Sequence, residues 1–529
     1  MRLKTNPTMK NRRFWLWLFL LASTSAFAQI PPYFAQLEKK IPERANKEFQ
    51  YIAYFYNHYV NSNIYPTNDF LKGQVIGRLY GQNTTTTADT LTSSFFEQRI
   101  LPFFIYQPKL FDGRAILRAS FEIDFTWGDV AYGTGGNFGG APSADQVNLQ
   151  TQNVELELIP APGWAINLGL QRMYDTPHNP YRTFFDQMLN SAYRLNYWGT
   201  DGVGITVRRD ADYYMWKAGF YQLYENNIQK KDDVHLMELN YRQALGRKWR
   251  LGGSVYYVRD RSNGQGGPSI LGQGLNSTLN DYNGTFRFRF GSSEYKADVA
   301  WLGAYFGYNE SQMMDHWTLT GYLNYNLGGT QLKARDIWEK GPSIGGLGAN
   351  LRAAYRYGKT PADAVWLDFI YTSGDDNGIA DDKYSGVMTG NTWGTPAALH
   401  VSHGAYLLFP HANVVNRYVA AVTDISNLGY GLTGGTINWS KDFIPYKFSG
   451  KLGMAAAVSN AQPLQGGQVM GLESNLKLGY QIGVFMQLEL HAAYLWLGDF
   501  YDSPLVNGGA TERPVNPYTA LVAFKWLMF

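Results

Sequence analysis

From about residue 72 onward, apolar and polar residues alternate in runs of roughly 9–14 residues, separated by connectors. Arg114 to Trp127 shows the pattern most clearly. Leu117, Ala119, Phe121, Ile123, Phe125 and Trp127 fall on one face, and Arg118, Ser120, Glu122, Asp124 and Thr126 on the other. A period of two is that of a β-strand, and these runs exceed the ~5–6 residues usual in a soluble strand. The connectors alternate in length. Short ones fall near 107–113, 160–163, 210–212, 246–248, 291–293, 328–329, 359–362, 440–446 and 481–484. Long ones fall near 81–94, 128–145, 174–201, 225–233, 260–281, 307–314, 339–347, 374–426, 460–469 and 499–516. The count is about 20 strands, and 18 to 20 is the expected range. Short turns at one end and long loops at the other predict an all-β fold, a transmembrane antiparallel β-barrel with short periplasmic turns and long extracellular loops. The run 517–529 reads as its closing strand, with Phe529 as the assembly signal. Lys525 breaks the expected pattern there, because it shares the parity of Leu527 and Phe529, where an apolar residue is expected.

The start of the chain has a different rhythm. Residues 1–28 read as a secretory signal peptide. Arg2, Lys4, Lys10, Arg12 and Arg13 precede an apolar core over 14–22, and Ala26, Phe27 and Ala28 form a small-x-small cleavage site before Gln29. The apolar core is too short for the ~20 residues of a membrane-spanning helix. Residues 29–71 lack the strand alternation. Phe49, Ile52, Ala53, Tyr56, Tyr59 and Val60 recur at helical spacing, with Pro42 near a plausible helix start. A periplasmic or barrel-plugging helix is expected there. An extra N-terminal strand or a docking segment for a periplasmic partner are the alternatives. The barrel is then expected over 72–529, delivered to the cell outer membrane by the general secretory route.

Composition supports this reading. Aromatics are 16% of the chain, with 38 Tyr and 15 Trp, yet mean hydropathy is only −0.30. A wall with one face in lipid and the other in water averages to this, with Tyr and Trp at the interfaces. The absence of cysteine excludes disulfides, thiolate metal sites and a thiol nucleophile. Removal of the five basic residues of the signal leaves 41 basic against 43 acidic residues, a formal charge of about −2 in place of +3. No nucleic-acid partner is expected from such a balance. The expected surroundings are outer-membrane lipid and lipopolysaccharide, the barrel-assembly machinery, and a polar or anionic solute.

Strand parity assigns the candidate lumen residues. The basic set is Arg118, Arg242, Arg250, Arg287, Arg289, Lys296, Lys333, Arg335, Arg352 and Arg356, joined by Lys451 and Lys477. The acidic set is Glu122, Asp124, Glu155 and Glu157, joined by Glu238, Asp298, Asp368, Glu473 and Glu489. The early strands are mainly acidic and the stretch from Arg242 to Arg356 mainly basic, so a transverse field and a preference for anions are expected. The plainer reading is that these charges pair across strands and solvate the lumen. Carboxylates over 375–382 offer oxygens of the kind Ca²⁺ takes, but the spacing is not that of an EF-hand, and a solvated acidic turn is the simpler reading. His491 beside Glu489 reads as a polar lining pair. The chain has no nucleophile elbow, zinc-protease helix or phosphate loop. No catalysis, cofactor or metal is expected. A channel for polar, anionic solutes such as an exopolysaccharide or sugar acids is the expected function, and a structural or docking barrel of an outer-membrane secretion or surface assembly is the alternative.

Three segments carry a family resemblance: Asn167-Leu168-Gly169-Leu170-Gln171-Arg172, Trp198-Gly199-Thr200-Asp201-Gly202-Val203, and the run from Asp368 to Asn377 with Leu408-Phe409-Pro410 downstream. In these the chain resembles the alginate-export family of outer-membrane porins. The resemblance implies a monomeric 18-strand barrel with a basic constriction that passes an anionic polysaccharide. Gln171 and Arg172 stand in reversed order relative to the family element.

Overall fold

A computed structural model describes residues 48–66, 85–90, 92–127, 148–174, 199–224, 233–263, 294–310, 315–378, 380–388, 405–408 and 427–528. Its larger sheet has 19 members, one of them the two-residue segment Lys383–Tyr384, and Ile64–Pro66 pairs with Thr85–Thr87 in a small separate sheet. The other 18 strands form a closed antiparallel barrel. They are β1 (Phe49–Ser62), β2 (Ser93–Tyr106), β3 (Ala115–Trp127), β4 (Asn148–Leu158), β5 (Trp164–Tyr174), β6 (Gly199–Asp210), β7 (Tyr214–Tyr224), β8 (Val234–Leu245) and β9 (Trp249–Asp260). The second half is β10 (Tyr295–Tyr308), β11 (Trp317–Ala334), β12 (Ile337–Arg356), β13 (Ala364–Thr372), β14 (Leu432–Ile444), β15 (Phe448–Ser459), β16 (Val469–Gly483), β17 (Met486–Leu497) and β18 (Tyr518–Met528). Each strand pairs with its neighbours in sequence, and β1 closes the ring by pairing with both β2 and β18. Closure leaves no bare sheet edge, which is the condition for strands to cross lipid.

The outward face is apolar. Leu117, Leu168, Leu239, Leu323, Leu351, Leu452 and Val522 all point away from the lumen and are exposed. A belt of aromatic rings marks the short-turn end of this band. Trp164 meets Trp216 at 5.6 Å, Trp249 meets Tyr308 at 4.9 Å, and Trp317 meets Tyr355 at 4.8 Å. Such rings sit at the lipid–water boundary. The molecule is an outer-membrane β-barrel. The starts of β1 and the end of β18 lie at this same short-turn end, which is the periplasmic one in this layout.

Four expectations change. The helix expected within 29–71 gives way to strand β1 over Phe49–Ser62, so the barrel begins before residue 72. Its apolar residues mimic a helix because both faces of β1 are apolar: Phe49 and Tyr59 point outward, while Tyr56 and Val60 join Leu101, Phe103, Leu521 and Ala523 in an inward cluster. The turns expected at 328–329 and 339–347 lie inside strands. A single turn at Arg335 and Asp336, both with positive φ, joins β11 and β12 instead. The long extracellular loop expected at 307–314 begins instead within β10, whose end lies on the periplasmic side, since Tyr308 pairs with Trp249 beside the short turn before β9, and residues 311–314 lie outside the described residues. Strand β18 turns the other way from expectation. Lys525 lies on the lumen parity with Leu521 and Ala523, and Val522 and Trp526 face lipid. Strands expected near 72–80 and 282–290, the signal peptide and Phe529 lie outside the described residues.

The resemblance segment around Gly169 has a local structural role. Gly169 has φ +117, and a Cβ there would stand 2.3 Å from the Val154 carbonyl oxygen. It faces Gly204 in register, where Gln171 donates to the Gly204 carbonyl at 3.2 Å and accepts from Thr206 at 3.0 Å. Gly169→Ala is expected to cost on the order of 1–3 kcal/mol through strain at this φ and contact with β4. A denaturant midpoint equal to that of the parent protein would contradict this.

Candidate functional site: the charged lumen and its internal loop

Inward-facing charges are gathered into separate groups along the wall. On β3 to β6, Arg118 lies between Glu155 at 3.3 Å and Glu157 at 3.0 Å. Glu157 also accepts from Asn167 at 3.1 Å and faces Arg208 at 3.7 Å. The early wall is therefore a mixed network, not the acidic surface expected. Next to it, Lys217 on β7 meets Glu238 on β8 at 2.5 Å, and the Tyr221 hydroxyl donates to the same carboxylate at 3.1 Å. On β12 and β13, Arg352 and Asp368 pair in register, with the Arg352 Nε at 2.6 Å and the Asn350 amide on the other carboxylate oxygen. Toward the periplasmic end, Arg250 meets Glu310 at 3.1 Å. Most of these groups are compensated across strands, as the plainer reading of the sequence held.

The remaining group spans β15 to β18 and differs in kind. Lys451 and Lys477 stand directly opposite each other in register, two like charges. Glu489 takes Lys477 at 2.5 Å, Lys525 at 2.6 Å and His491 Nε2 at 2.9 Å. The carboxylates lie at the back, with Glu473 and Glu489 no more than 1% exposed. The ammonium groups stand in front, with the Lys477 side chain 31% and the Lys525 side chain 18% exposed. A solute at this wall therefore meets cations first.

A loop from the extracellular side lies against the same wall. The connection from β13 to β14 runs from residue 373 to residue 431. Its segment 405–408 is fixed by Glu473 on β16, whose two carboxylate oxygens accept from the backbone N–H groups of Tyr406 at 2.6 Å, Leu407 at 2.9 Å and Leu408 at 2.7 Å. Asn475 donates to Glu473 at 2.9 Å. Ala405, Tyr406, Leu407 and Leu408 pack in an apolar cluster with Ala455, Ala457, Ala493 and Leu495. The Tyr406 hydroxyl lies 3.0 Å from His491 Nδ1, and Lys451 Nζ sits 4.7 Å from the Tyr406 ring centre. With Glu489 on one ring nitrogen and Tyr406 on the other, His491 is a positioning residue that joins loop to wall. The start of the same connection is held by a different wall. The Trp301 indole donates to the Met388 carbonyl at 3.0 Å, Asn326 accepts from the Met388 N–H at 3.0 Å, and Ile344 pairs with Tyr384. The acidic turn at its beginning closes on itself. Asp375 accepts from the Ser385 N–H at 2.7 Å and Asp381 from the Lys383 N–H at 2.9 Å.

A second extracellular connection, between β17 and β18, is tied by Arg513, which donates to both oxygens of Asp502 at 2.7 Å. That bond holds the Asp502 carboxyl below its ordinary range. The tie is therefore complete at neutral pH and is lost only as the pH falls through the lowered value.

The structure divides the candidates of the parity reading between the two faces of the wall. Arg118, Arg242, Arg250, Arg352, Arg356, Glu155 and Glu157 all lie on the lumen parity. Three do not. Lys296 and Lys333 lie on the outer parity of β10 and β11, and Arg335 is in the exposed turn. The error at Lys296 arises because lumen positions of β10 (Tyr295, Ala297, Val299, Trp301) are apolar and covered by the loop, which inverts the usual rule. Asp298 is outward for the same reason. Glu122 and Asp124 lie on β3 with side chains outside the described set, and Arg287 and Arg289 lie outside the described residues altogether. Arg208, Lys217 and Lys525 were missed. Arg208 and Lys525 share lumen parity with Thr206 and Ala523 and could have been found that way. Tyr406 carries no local signal, because its place depends on contacts with distant strands.

No family model matches the sequence, and no curated protein matches it, so the resemblance to alginate-export porins is left without support. Solved barrels are similar in outline. OccAB4 of Acinetobacter baumannii is 10% identical with a TM-score of 0.47, the alignment covering 91% of this chain and 98% of that one. The outer membrane protein opdK of Pseudomonas aeruginosa is 11% identical with a TM-score of 0.45 over 91% and 98%. A BenF-like porin from Pseudomonas fluorescens Pf-5 is 9% identical with a TM-score of 0.46 over 91% and 99%. At these identities and scores the likeness assigns no function.

Proposed function

We propose that the chain is an outer-membrane channel for small polar solutes, with preference for those carrying a negative charge. The observation that carries this reading is the lysine group of β15 to β18, where ammonium groups face the lumen and their carboxylate partners are buried behind them. Barrels of 16 to 18 strands enclose an aqueous passage. Rings and walls of Lys and Arg favour anions. The internal loop favours small solutes, such as sugar acids, over a polysaccharide, because segment 405–408 takes up room on the wall that a polymer would need. This moves the anion preference away from the Arg242 to Arg356 stretch, whose Arg250 and Arg352 already have carboxylate partners.

The test is the reversal potential of single channels in a salt gradient. Lys477→Gln/Lys525→Gln/Glu489→Gln removes two cations and the carboxylate that would otherwise be left unpaired. It is expected to lower the anion-to-cation permeability ratio about tenfold, since one unit charge at ~6 Å in water acts about threefold on each ion and with opposite sign on the two. Arg352→Gln/Asp368→Asn removes a neutral pair and should leave the ratio unchanged. An unaltered ratio in the triple variant rules out this wall as the filter. A purified barrel that inserts but does not conduct favours the structural or docking role instead.

A further inference from the structure

The outward face of β9 to β11 breaks the apolar rule at its extracellular end. Arg259 and Tyr257 on β9, Lys296 and Asp298 on β10, and Lys333 on β11 all lie on the lipid-facing parity, with Arg261 following directly after β9. Arg259 faces His235 on one side and Asp298 on the other in register. Arg261 grips Asp298 with bonds of 3.0 and 2.7 Å, and the Tyr257 hydroxyl donates to the same carboxylate. Lys333 meets Glu294 at 3.2 Å and Asp336 at 3.4 Å. Lys296 has its ammonium 3.8 Å from the ring centre of Trp338. Among the described residues, neither Arg259 nor Lys296 has a carboxylate in salt-bridge contact.

Two observations indicate what this patch meets. The first is its height. Arg259 is ten residues along β9 from Trp249 of the periplasmic aromatic belt. At ~3.3 Å per residue and a ~40° tilt, that is roughly 25 Å along the barrel axis, the height of the apolar band in such barrels. Arg259 therefore stands just above the hydrocarbon, at the level of the outer-leaflet head groups, while Lys296 and Lys333 lie farther from the periplasmic belt along β10 and β11, toward the phosphates above it. The second is their locality. At the corresponding ends of β13 to β17 the outward residues are Tyr371, Thr433, Val458, Val469 and Trp496, none of them charged. A uniformly basic rim would only reflect the boundary with water, whereas outward cations that gather on β9 to β11, with Lys340 of β12 beside them, and are absent from these ends of β13 to β17 mark a position. Outward basic residues at the periplasmic end, such as Arg209 over Trp164, are of the ordinary interfacial kind.

We propose that Arg259, Arg261, Lys296 and Lys333 form a binding site for the phosphate groups of a phosphorylated glycolipid of the outer leaflet, a lipopolysaccharide. Arg259 and Lys296 supply the cations that have no carboxylate contact among the described residues. Arg261 is oriented by Asp298, and Trp338 gives Lys296 an apolar base while its stem stays against the wall. Arginine and lysine contacts to phosphate are charge-assisted and strong, and a site half in hydrocarbon is screened less than a fully wet one.

Native mass spectrometry of the full-length barrel extracted in mild detergent counts the retained glycolipid. Arg259→Gln/Lys296→Gln is expected to lower lipopolysaccharide binding about thirtyfold, the loss expected from removing two cations beside an anionic leaflet. Arg259→Lys/Lys296→Arg should keep it. Heat-modifiable migration on gels reports whether each variant is folded. Delipidated parent protein gives a second readout that needs no variant. Lipid A with its phosphates should bind, and lipid A stripped of phosphates should bind at least as weakly as the double variant does. Equal binding of the two lipids, or undiminished retention by a folded double variant, overturns the proposal. Displacement of lipid A by an equal concentration of inorganic phosphate would show a site for free phosphate and overturn the lipid assignment.

Discussion

Glu473→Ala is expected to raise single-channel conductance above that of the parent, because segment 405–408 is no longer fixed to the wall. Glu473 is the acceptor for three consecutive backbone N–H groups, and it is fully buried. Hydrogen bonds to a charged partner contribute ~1.5–3 kcal/mol each, but the released amides regain water. A net weakening of about 3–5 kcal/mol is expected, which lowers the ratio of docked to undocked loop by more than about a hundredfold. Glu473→Gln keeps an acceptor oxygen and should fall between the two. Single-channel conductance in planar bilayers is the measurement. Protease access between residues 389 and 404 is the companion readout. Parent-like conductance together with parent-like protease resistance would show that the apolar packing of Tyr406 to Leu408 suffices without the carboxylate.

The second large effect lies at Lys217 and Glu238, whose side chains are 4% and 0% exposed. Lys217→Met leaves the Glu238 charge buried with only the Tyr221 hydroxyl as donor. A broken buried pair costs about 3–5 kcal/mol, whereas replacing both partners by apolar residues of similar size is close to neutral. Lys217→Met alone should therefore lower the unfolding midpoint strongly, and Lys217→Met/Glu238→Leu should recover most of the loss. A double variant no more stable than the single one would mean that the pair is held by something other than mutual compensation.

Much of the architecture was legible in the sequence because a barrel wall enforces a strict period of two wherever one face meets lipid. Strand β3 is the plainest case, with Leu117 outward and Arg118 inward as the alternation requires. The rule fails where the lumen side is itself apolar. Strand β1 reads as a helix because Tyr56 and Val60 are inward and Phe49 and Tyr59 outward. Strand β10 reads in inverted parity because Trp301 and Val299 face an internal loop. The end of β18 misleads for the opposite reason, since its lumen side carries Lys525 among small and apolar residues. The candidate site was half visible. Lys451, Lys477, Glu473 and Glu489 follow from parity, but the partnership of Glu473 with a segment some 66 residues earlier in the chain does not. Local patterns report which face a residue takes and are silent about what comes to lie against it.

The long internal connection leaves and rejoins the wall at residues already side by side. Thr372 and Leu432 are direct register partners, and the ladder between β13 and β14 runs on without a shift from there to Ala364 and Ser440. The staves of the cask thus do not depend on the length of what is inserted between these two. Natural variation can lengthen, shorten or exchange the insert, and under the proposed channel function change the solute, while the lipid-facing shell keeps its form. Selectivity and membrane residence can then evolve as separate traits of one polypeptide.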